Sequence, residues 1–206
     1  MTAATASTTQ QPPSKKSVAN EGVRKPITWE AFQQKYLSRE DGYKYEWVNG
    51  LVEKTKRSMD KRQLYLLVNL LRQFSLLKNK GKVMGDLISE PDLFFLANHR
   101  RPEVAWLTEE QVYSLAKHGA NEVPAFIIEV ISSNDQINAV KEKMVNYRDA
   151  GVQVVWQIFP KFKQVEVYSG ARLGESKVCE GGDVCSAAPA LPGFAMPVKD
   201  IFYLPE

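Results

Sequence analysis

Apolar and polar positions along the chain sort into a few clear periods, and the most telling run is residues 125–131, AFIIEVI, apolar and rich in branched side chains apart from one carboxylate, Glu129. Such a run predicts a strand covered on both faces of a sheet. An ionised glutamate there is costly unless a cation or a hydrogen-bond donor meets it, so Glu129 needs a functional explanation. Ser132, Ser133, Asn134 and Asp135 follow as candidate N-caps, and Ile137, Val140, Met144 and Tyr147 then give a helix with a core-facing stripe that ends at Gly151.

The flanking pattern fills out an α/β chain. Thr28 caps a short helix whose stripe is Trp29, Phe32, Tyr36 and Leu37. Residues 43–54 alternate around Asn49-Gly50 and predict a hairpin. Glu46 stands in its first strand between Tyr45 and Trp47; alternation alone favours an exposed position over a carboxylate aimed into a cleft. Residues 59–77 form the longest helical pattern, with Leu64, Leu67, Val68, Leu71, Phe74 and Leu77 on one face. Three short apolar runs, 83–88, 93–96 and 104–107, suggest an antiparallel meander. Residues 108–117 read as a helix or turn capped by Thr108, 152–159 as a strand containing Trp156, and Val165, Val167 and Tyr168 as its return. Residues 171–183 are polar and Gly-rich, and LPGFAMPVKDIF reads as an irregular extension with a final turn.

Composition narrows the class. Residues 1–25 are rich in Ala, Ser, Thr and Gln without an apolar block, so they read as a flexible N-terminal tail and not as a secretory signal. Residues 26–206 then form a single domain. Nothing in the chain approaches the roughly 18 consecutive apolar residues of a membrane helix, which predicts a soluble, cytoplasmic protein. A net charge of +3 permits an anionic partner without demanding one. Lys61, Arg62, Arg72 and Lys78, after Lys54, Lys56 and Arg57, make a basic face that could contact phosphate. Cys179, Cys185, His99 and His118 are too few and too scattered for a disulfide framework, a zinc site or a histidine-based nuclease, and His99 beside Arg100 and Arg101 reads as a polar loop residue. The serine-hydrolase, phosphate-loop, dinucleotide and zincin motifs are all absent.

What survives is a carboxylate set: Glu46, Glu103 after Pro102, and Glu129, with Lys143 on the next helix. Two or three carboxylates holding Mg²⁺ suit phosphodiester hydrolysis, because water must be activated and charge on the phosphate neutralised. Read alone, Glu103 could equally be a residue that opens a strand after an Arg-rich loop.

Taken together, YEWVNGLVE, RRPEVAWL, PAFIIEVISSND, KMVNYRDAGVQVVWQIFP and LPGFAMPVKDIF resemble the Uma2 family (DUF820), a branch of the PD-(D/E)XK nuclease superfamily. The resemblance spans about residues 27–203. It implies a restriction-endonuclease-like α/β core, a mixed central β-sheet flanked by α-helices, and metal-dependent hydrolysis of DNA. The family's YELxxG segment matches residues 45–50 and makes Glu46 its acid; its PD position matches Pro102-Glu103; its ExxS segment starts at Glu129; its KxxxY matches Lys143 and Tyr147. The metal ligands so implied are Glu103, Glu129 and the Val130 carbonyl, with Mg²⁺, or Mn²⁺ in its place, as cofactor. Glu103 departs from the usual Asp, and Asp60-Lys61 stands where family members commonly carry a histidine. Pro91-Asp92, a literal PD, lies upstream of the aligned segment and reads as a turn.

The superfamily lysine falls two positions after the strand acid, where this chain has Ile131. Lys141 and Lys143 point about 200° apart on a helix, so only one can serve the site. Lys143 shares a face with Tyr147 beside the core stripe, which makes it the candidate for a migrated lysine. Two alternatives use the same fold: a catalytically inactive nucleic-acid-binding relative, and a protein-interaction scaffold. A homodimer is also expected from the need to cut two strands, with residues 152–159 and the C-terminal segments as candidate surfaces.

Overall fold

The computed structural model describes residues 25–56, 61–118, 121–132 and 136–205. The expected tail lies almost wholly outside them, as do Arg57, the side chains of Lys61 and Arg62, and the expected caps Ser133, Asn134 and Asp135. In chain order the elements are α1 (Trp29–Phe32, continued as a π turn over Gln33–Leu37), β1 (Tyr43–Val48), β2 (Leu51–Lys56), α2 (Lys61–Asn79), β3 (Asp86–Ser89), β4 (Leu93–Phe95) and β5 (Asn98–Arg100). They continue with β6 (Val104–Leu107), α3 (Glu109–His118), β7 (Phe126–Val130), α4 (Ile137–Ala150), β8 (Val154–Phe159), β9 (Gln164–Ser169), β10 (Glu175–Glu180), β11 (Val184–Ser186), β12 (Ala195–Pro197) and α5 (Val198–Ile201).

The main sheet has six strands in the order β10-β9-β8-β7-β6-β3. It is mixed, because β7 and β8 run parallel with α4 as their crossover while their neighbours pair antiparallel. α4 opens at Gln136 and closes at Gly151, whose φ of 92° is the left-handed conformation that ends a helix cheaply only in glycine. Alternation along the central strands divides the core. Phe126, Ile128, Trp156 and Ile158 join Leu66, Leu70 and Phe74 of α2 and Phe194 and Met196 of the C-terminal segment. Ile127, Val155 and Ala105 face the other way, against Tyr147 of α4 and Leu93 and Phe95 of β4.

The expected meander does not form. β3 pairs with β6, whereas β4 pairs with β5 and joins the hairpin in a second sheet ordered β2-β1-β5-β4. The two sheets part at Glu90, whose φ of 46° turns the chain out of the first one. Part of the polar segment 171–183 is in fact the edge strand β10, exposed along most of its length except at Cys179. Segment 152–159 is interior: β8 lies between β7 and β9 with Val154, Val155, Trp156 and Ile158 fully buried, so it offers no surface for a second copy. His99 is likewise a core residue of β5, 1% exposed and packed among Trp29 and Phe32.

Candidate active site

β6 and β7 pair with Val104 opposite Ile128, so the next step along the ladder sets Glu103 beside Glu129, on one face of the sheet. The same row continues across β8 and β9, with Glu129 opposite Gln157 and Gln157 opposite Glu166. Glu129 and Gln157 are both buried, 4% exposed. A row of polar residues crossing a sheet this apolar is the feature that sets the site apart.

α4 runs over that row. The Tyr147 hydroxyl donates to Glu129 Oε1 at 2.5 Å, and Lys143 Nζ lies 3.3 and 3.4 Å from the two Glu129 oxygens. The four-residue spacing stacks both donors on one helix face. Lys141 projects to solvent, so the helix offers one lysine to the site, as its periodicity predicts. Val130 ends β7 opposite Ile158 and packs its side chain on the larger core.

The second sheet closes the site from the other side. Glu46 pairs with Glu53 across the hairpin, and the pairing of Trp47 with His99 sets Arg100 beside Glu46. Glu46 is therefore buried, 2% exposed, and not the exposed strand residue that alternation favoured, because its face of the hairpin is covered by α4. Its Oε1 accepts the Arg101 backbone N–H at 2.7 Å; its Oε2 lies 3.4 Å from both Arg100 Nη1 and Lys143 Nζ. Arg100, fully buried, also donates to Glu53 at 2.7 Å and to Asn146 Oδ1 at 2.9 and 2.7 Å. Lys44, two residues before Glu46 and hence on its face, donates to Glu103 Oε1 at 2.6 Å. Four of the residues expected at the site, Glu46, Glu103, Glu129 and Lys143, thus converge, through Lys143 and Lys44. Asp92 does not join them; its Oδ1 accepts from His99 Nε2 at 2.8 Å and Arg101 Nε at 2.7 Å, one layer behind.

The electrostatics assign states. Burial pushes the Glu46 carboxyl up, but Lys143, Lys44, Arg100 and the Arg101 N–H together outweigh it and hold the pKa at about 2. Burial pushes Lys143 down, and Glu129 and Glu46 more than reverse that, so it stays an ammonium throughout the physiological range. Tyr147 is raised well above the ordinary phenol by burial and by Glu129, which keeps it a donor. Lys143 is thereby held as a positive charge between Glu129 and Glu46. Of the two neighbouring carboxylates Glu103 is the more open, its side chain 30% exposed against 5% for Glu129.

Lys44, Arg100 and Asn146 carry much of this arrangement and were not foreseen. Period-two spacing from Glu46 marks Lys44, but its partner Glu103 becomes visible only once the two sheets are packed.

A family described as "Putative restriction endonuclease", Uma2, matches residues 29–199. The chain belongs to the Uma2 family. A crystal structure of a protein from Anabaena variabilis, described as "a putative nuclease belonging to DUF820", is similar at 19% identity and a TM-score of 0.65. The similarity covers 86% of this chain and 98% of that one. That likeness shows the fold, the mixed sheet flanked by helices expected from the sequence. No curated protein matches the chain. Among the described residues no helix is long and apolar enough to cross a membrane.

Proposed function

We propose that this member of the Uma2 family is a Mg²⁺-dependent nuclease that hydrolyses DNA phosphodiester bonds at the Glu103–Glu129 pair. The observation that carries this reading is the placement of two neighbouring carboxylates, one immediately before β6 and one on β7, with a lysine ammonium 3.3 Å from the more buried one. The donors are all hard oxygens, which suits Mg²⁺. Among the described residues no three His, Cys, Asp or Glu side chains converge to hold an ion by themselves. An ion held by only two carboxylates and a carbonyl would have to keep several waters and complete its shell with substrate phosphate. Glu103, Glu129 and the Val130 carbonyl would hold it. Bound there, Mg²⁺ would lower the pKa of water and neutralise charge on the phosphate.

The chain's own residues do the rest. The phosphate approaches from the open Glu103 side. Lys143 offsets the negative charge that grows on its oxygens, at a fixed position that costs no reorganisation. Tyr147 holds the Glu129 carboxylate in one orientation. Glu46, enclosed by Arg100, Lys143 and the Arg101 N–H, positions Lys143. Glu129→Gln keeps the shape and removes the charge, so it is expected to abolish cleavage of supercoiled plasmid in Mn²⁺ and to weaken Mn²⁺ binding by calorimetry. A variant that binds Mn²⁺ like the parent protein would remove Glu129 from the ligand set.

A second reading has its own support. Glu103 is already matched by Lys44 at 2.6 Å and Glu129 by Lys143 and Tyr147, so the carboxylates are satisfied without an ion. A catalytically inactive relative that still binds nucleic acid would look like this. Salt-dependent DNA retention with no Mn²⁺ heat would favour it, and absence of both would favour a protein-interaction scaffold.

A further inference from the structure

α2 is apolar on two sides, and among the described residues only one of them is covered. Leu66, Leu70 and Phe74 face the main sheet and are buried in the larger core. Of the stripe that the sequence assigns to the sheet, Leu67 and Leu77 lie at the edge of that core, whereas Leu64, Val68 and Leu71 point away from it. With Tyr65 and Leu76 they make an outer face on which each residue is 36–50% exposed. At about 100° per residue, Leu71, Leu64, Val68, Arg72, Tyr65 and Leu76 fall in that order across an arc of about 140°. Leu64 and Leu76 stand about 18 Å apart along the axis, some three turns of helix. A helix that is apolar on both sides is ordinarily covered on both.

The C-terminal segment borders this face on the Leu76 side. Asn69, about 20° beyond Leu76 around the helix, donates to the Ile201 and Tyr203 carbonyls at 3.1 and 2.8 Å and holds the chain alongside α2. Tyr203 and Leu204, both exposed, extend the apolar surface there.

Charge selects the occupant. α2 carries Lys61, Arg62, Arg72 and Lys78 and no acidic residue over its 19 positions, and Lys80 and Lys82 follow it, both exposed. Arg72 stands inside the apolar arc, between Val68 and Tyr65, exposed and without an acidic partner among the described residues. Whatever covers the arc takes that guanidinium out of water, which is unfavourable unless a carboxylate meets it. Two copies of α2 laid together would bring like charges face to face, because neither contains an acid. A lipid surface would have to take Arg72 in the middle of the inserted face.

From this we infer that the outer face of α2 docks an acidic amphipathic helix of a partner protein, its apolar stripe on Leu64, Val68 and Leu71 and a glutamate or aspartate opposite Arg72. This is helix-on-helix recognition through anchors at every third or fourth position, with charge setting the choice of partner. It goes beyond the nuclease reading and does not require it, since α2 packs on the sheet face opposite the one that bears Glu129 and α4.

The test is metal-free fluorescence anisotropy of the full chain with two labelled helical peptides of about 20 residues. Both carry leucines at every third or fourth position; one has glutamate and the other lysine at the positions flanking that stripe. The glutamate peptide is expected to bind about tenfold or more tightly than the lysine peptide at about 50 mM salt, and the preference to shrink at about 500 mM. Arg72→Glu is expected to invert the preference, and Val68→Glu to weaken binding of the glutamate peptide about tenfold or more; both positions are exposed, and native circular dichroism checks the fold. Equal binding of the two peptides, no binding of either, or a preference untouched by Arg72→Glu would overturn the inference. So would a dimer in sedimentation velocity that Val68→Glu dissociates, which would give the face to a second copy. Flotation with phosphatidylserine vesicles that Val68→Glu abolishes would overturn it too, in favour of a lipid surface.

Discussion

Glu46→Gln tests the electrostatic account of the site most directly. The amide keeps the side-chain length and can still accept the Arg101 N–H at Oε1, but it removes the charge that faces Arg100 and Lys143. Burial raises the pKa of this carboxyl and the surrounding cations overcome it, so the native value of about 2 lies below the ordinary 4.5. A fall of that size corresponds to roughly 3 kcal/mol of stability from the ionised form. Because the folded-state value is depressed, this contribution is fully present above the unfolded-state value and is lost as pH falls toward the folded one. Urea unfolding at pH 7, 4.5 and 3 should therefore show the variant less stable by about 3 kcal/mol at pH 7, with the gap shrinking to under half by pH 3. A gap of the same size at pH 7 and pH 3 would mean that the loss comes from packing or the Arg101 hydrogen bond. No gap at all would mean that the cations do not hold Glu46 as described.

Two further outcomes are expected. Lys143→Ala should lose most plasmid cleavage while keeping Mn²⁺ binding and DNA retention, and Lys141→Ala should lose little; equal cleavage by the two variants would remove Lys143 from the mechanism. Phe194→Ala should cost about 3–5 kcal/mol in urea unfolding, because its fully buried ring packs on Phe74, Phe126 and Trp156; a loss below about 1 kcal/mol would show that this junction of sheet, α2 and C-terminal segment collapses on deletion.

The central strand, α4 and the choice between its two lysines were readable because they rest on local periods. Residues 125–131 are apolar at nearly every position, so one carboxylate stands out. A period of about 3.6 is enough to send Lys143 toward the sheet and Lys141 to solvent. The second sheet was hidden for an equally local reason. β4 and β5 are joined by a two-residue turn in which Leu96 and Ala97 both have positive φ, 49° and 53°. Such turns ordinarily announce themselves as Asn-Gly or Asp-Gly, and Leu-Ala announces nothing. Here the turn is held by Asn98, whose amide donates to the Leu96 carbonyl and accepts the Asn49 N–H. Once that turn is missed, β5 dissolves into a loop and His99, Arg100 and Arg101 read as surface residues.

That omission explains why half of the site was out of reach. Arg100 becomes a core residue only when β5 pairs with β1, and that pairing places it between Glu46 and Glu53. Lys44 and Glu46 share a face by alternation, yet what they face depends on where the second sheet lies against α4 and the main sheet. Ile131, at the superfamily lysine position, falls just past the end of β7. With Ile131 supplying no charge there, α4 brings Lys143 across the face of Glu129 and Lys44 reaches Glu103 from the second sheet. Both positive charges are thus delivered from outside the strand that carries the acid. A local motif on β7 cannot report them, and the pairing of Glu103, just before β6, with Glu129 on β7 is intelligible only with them in place.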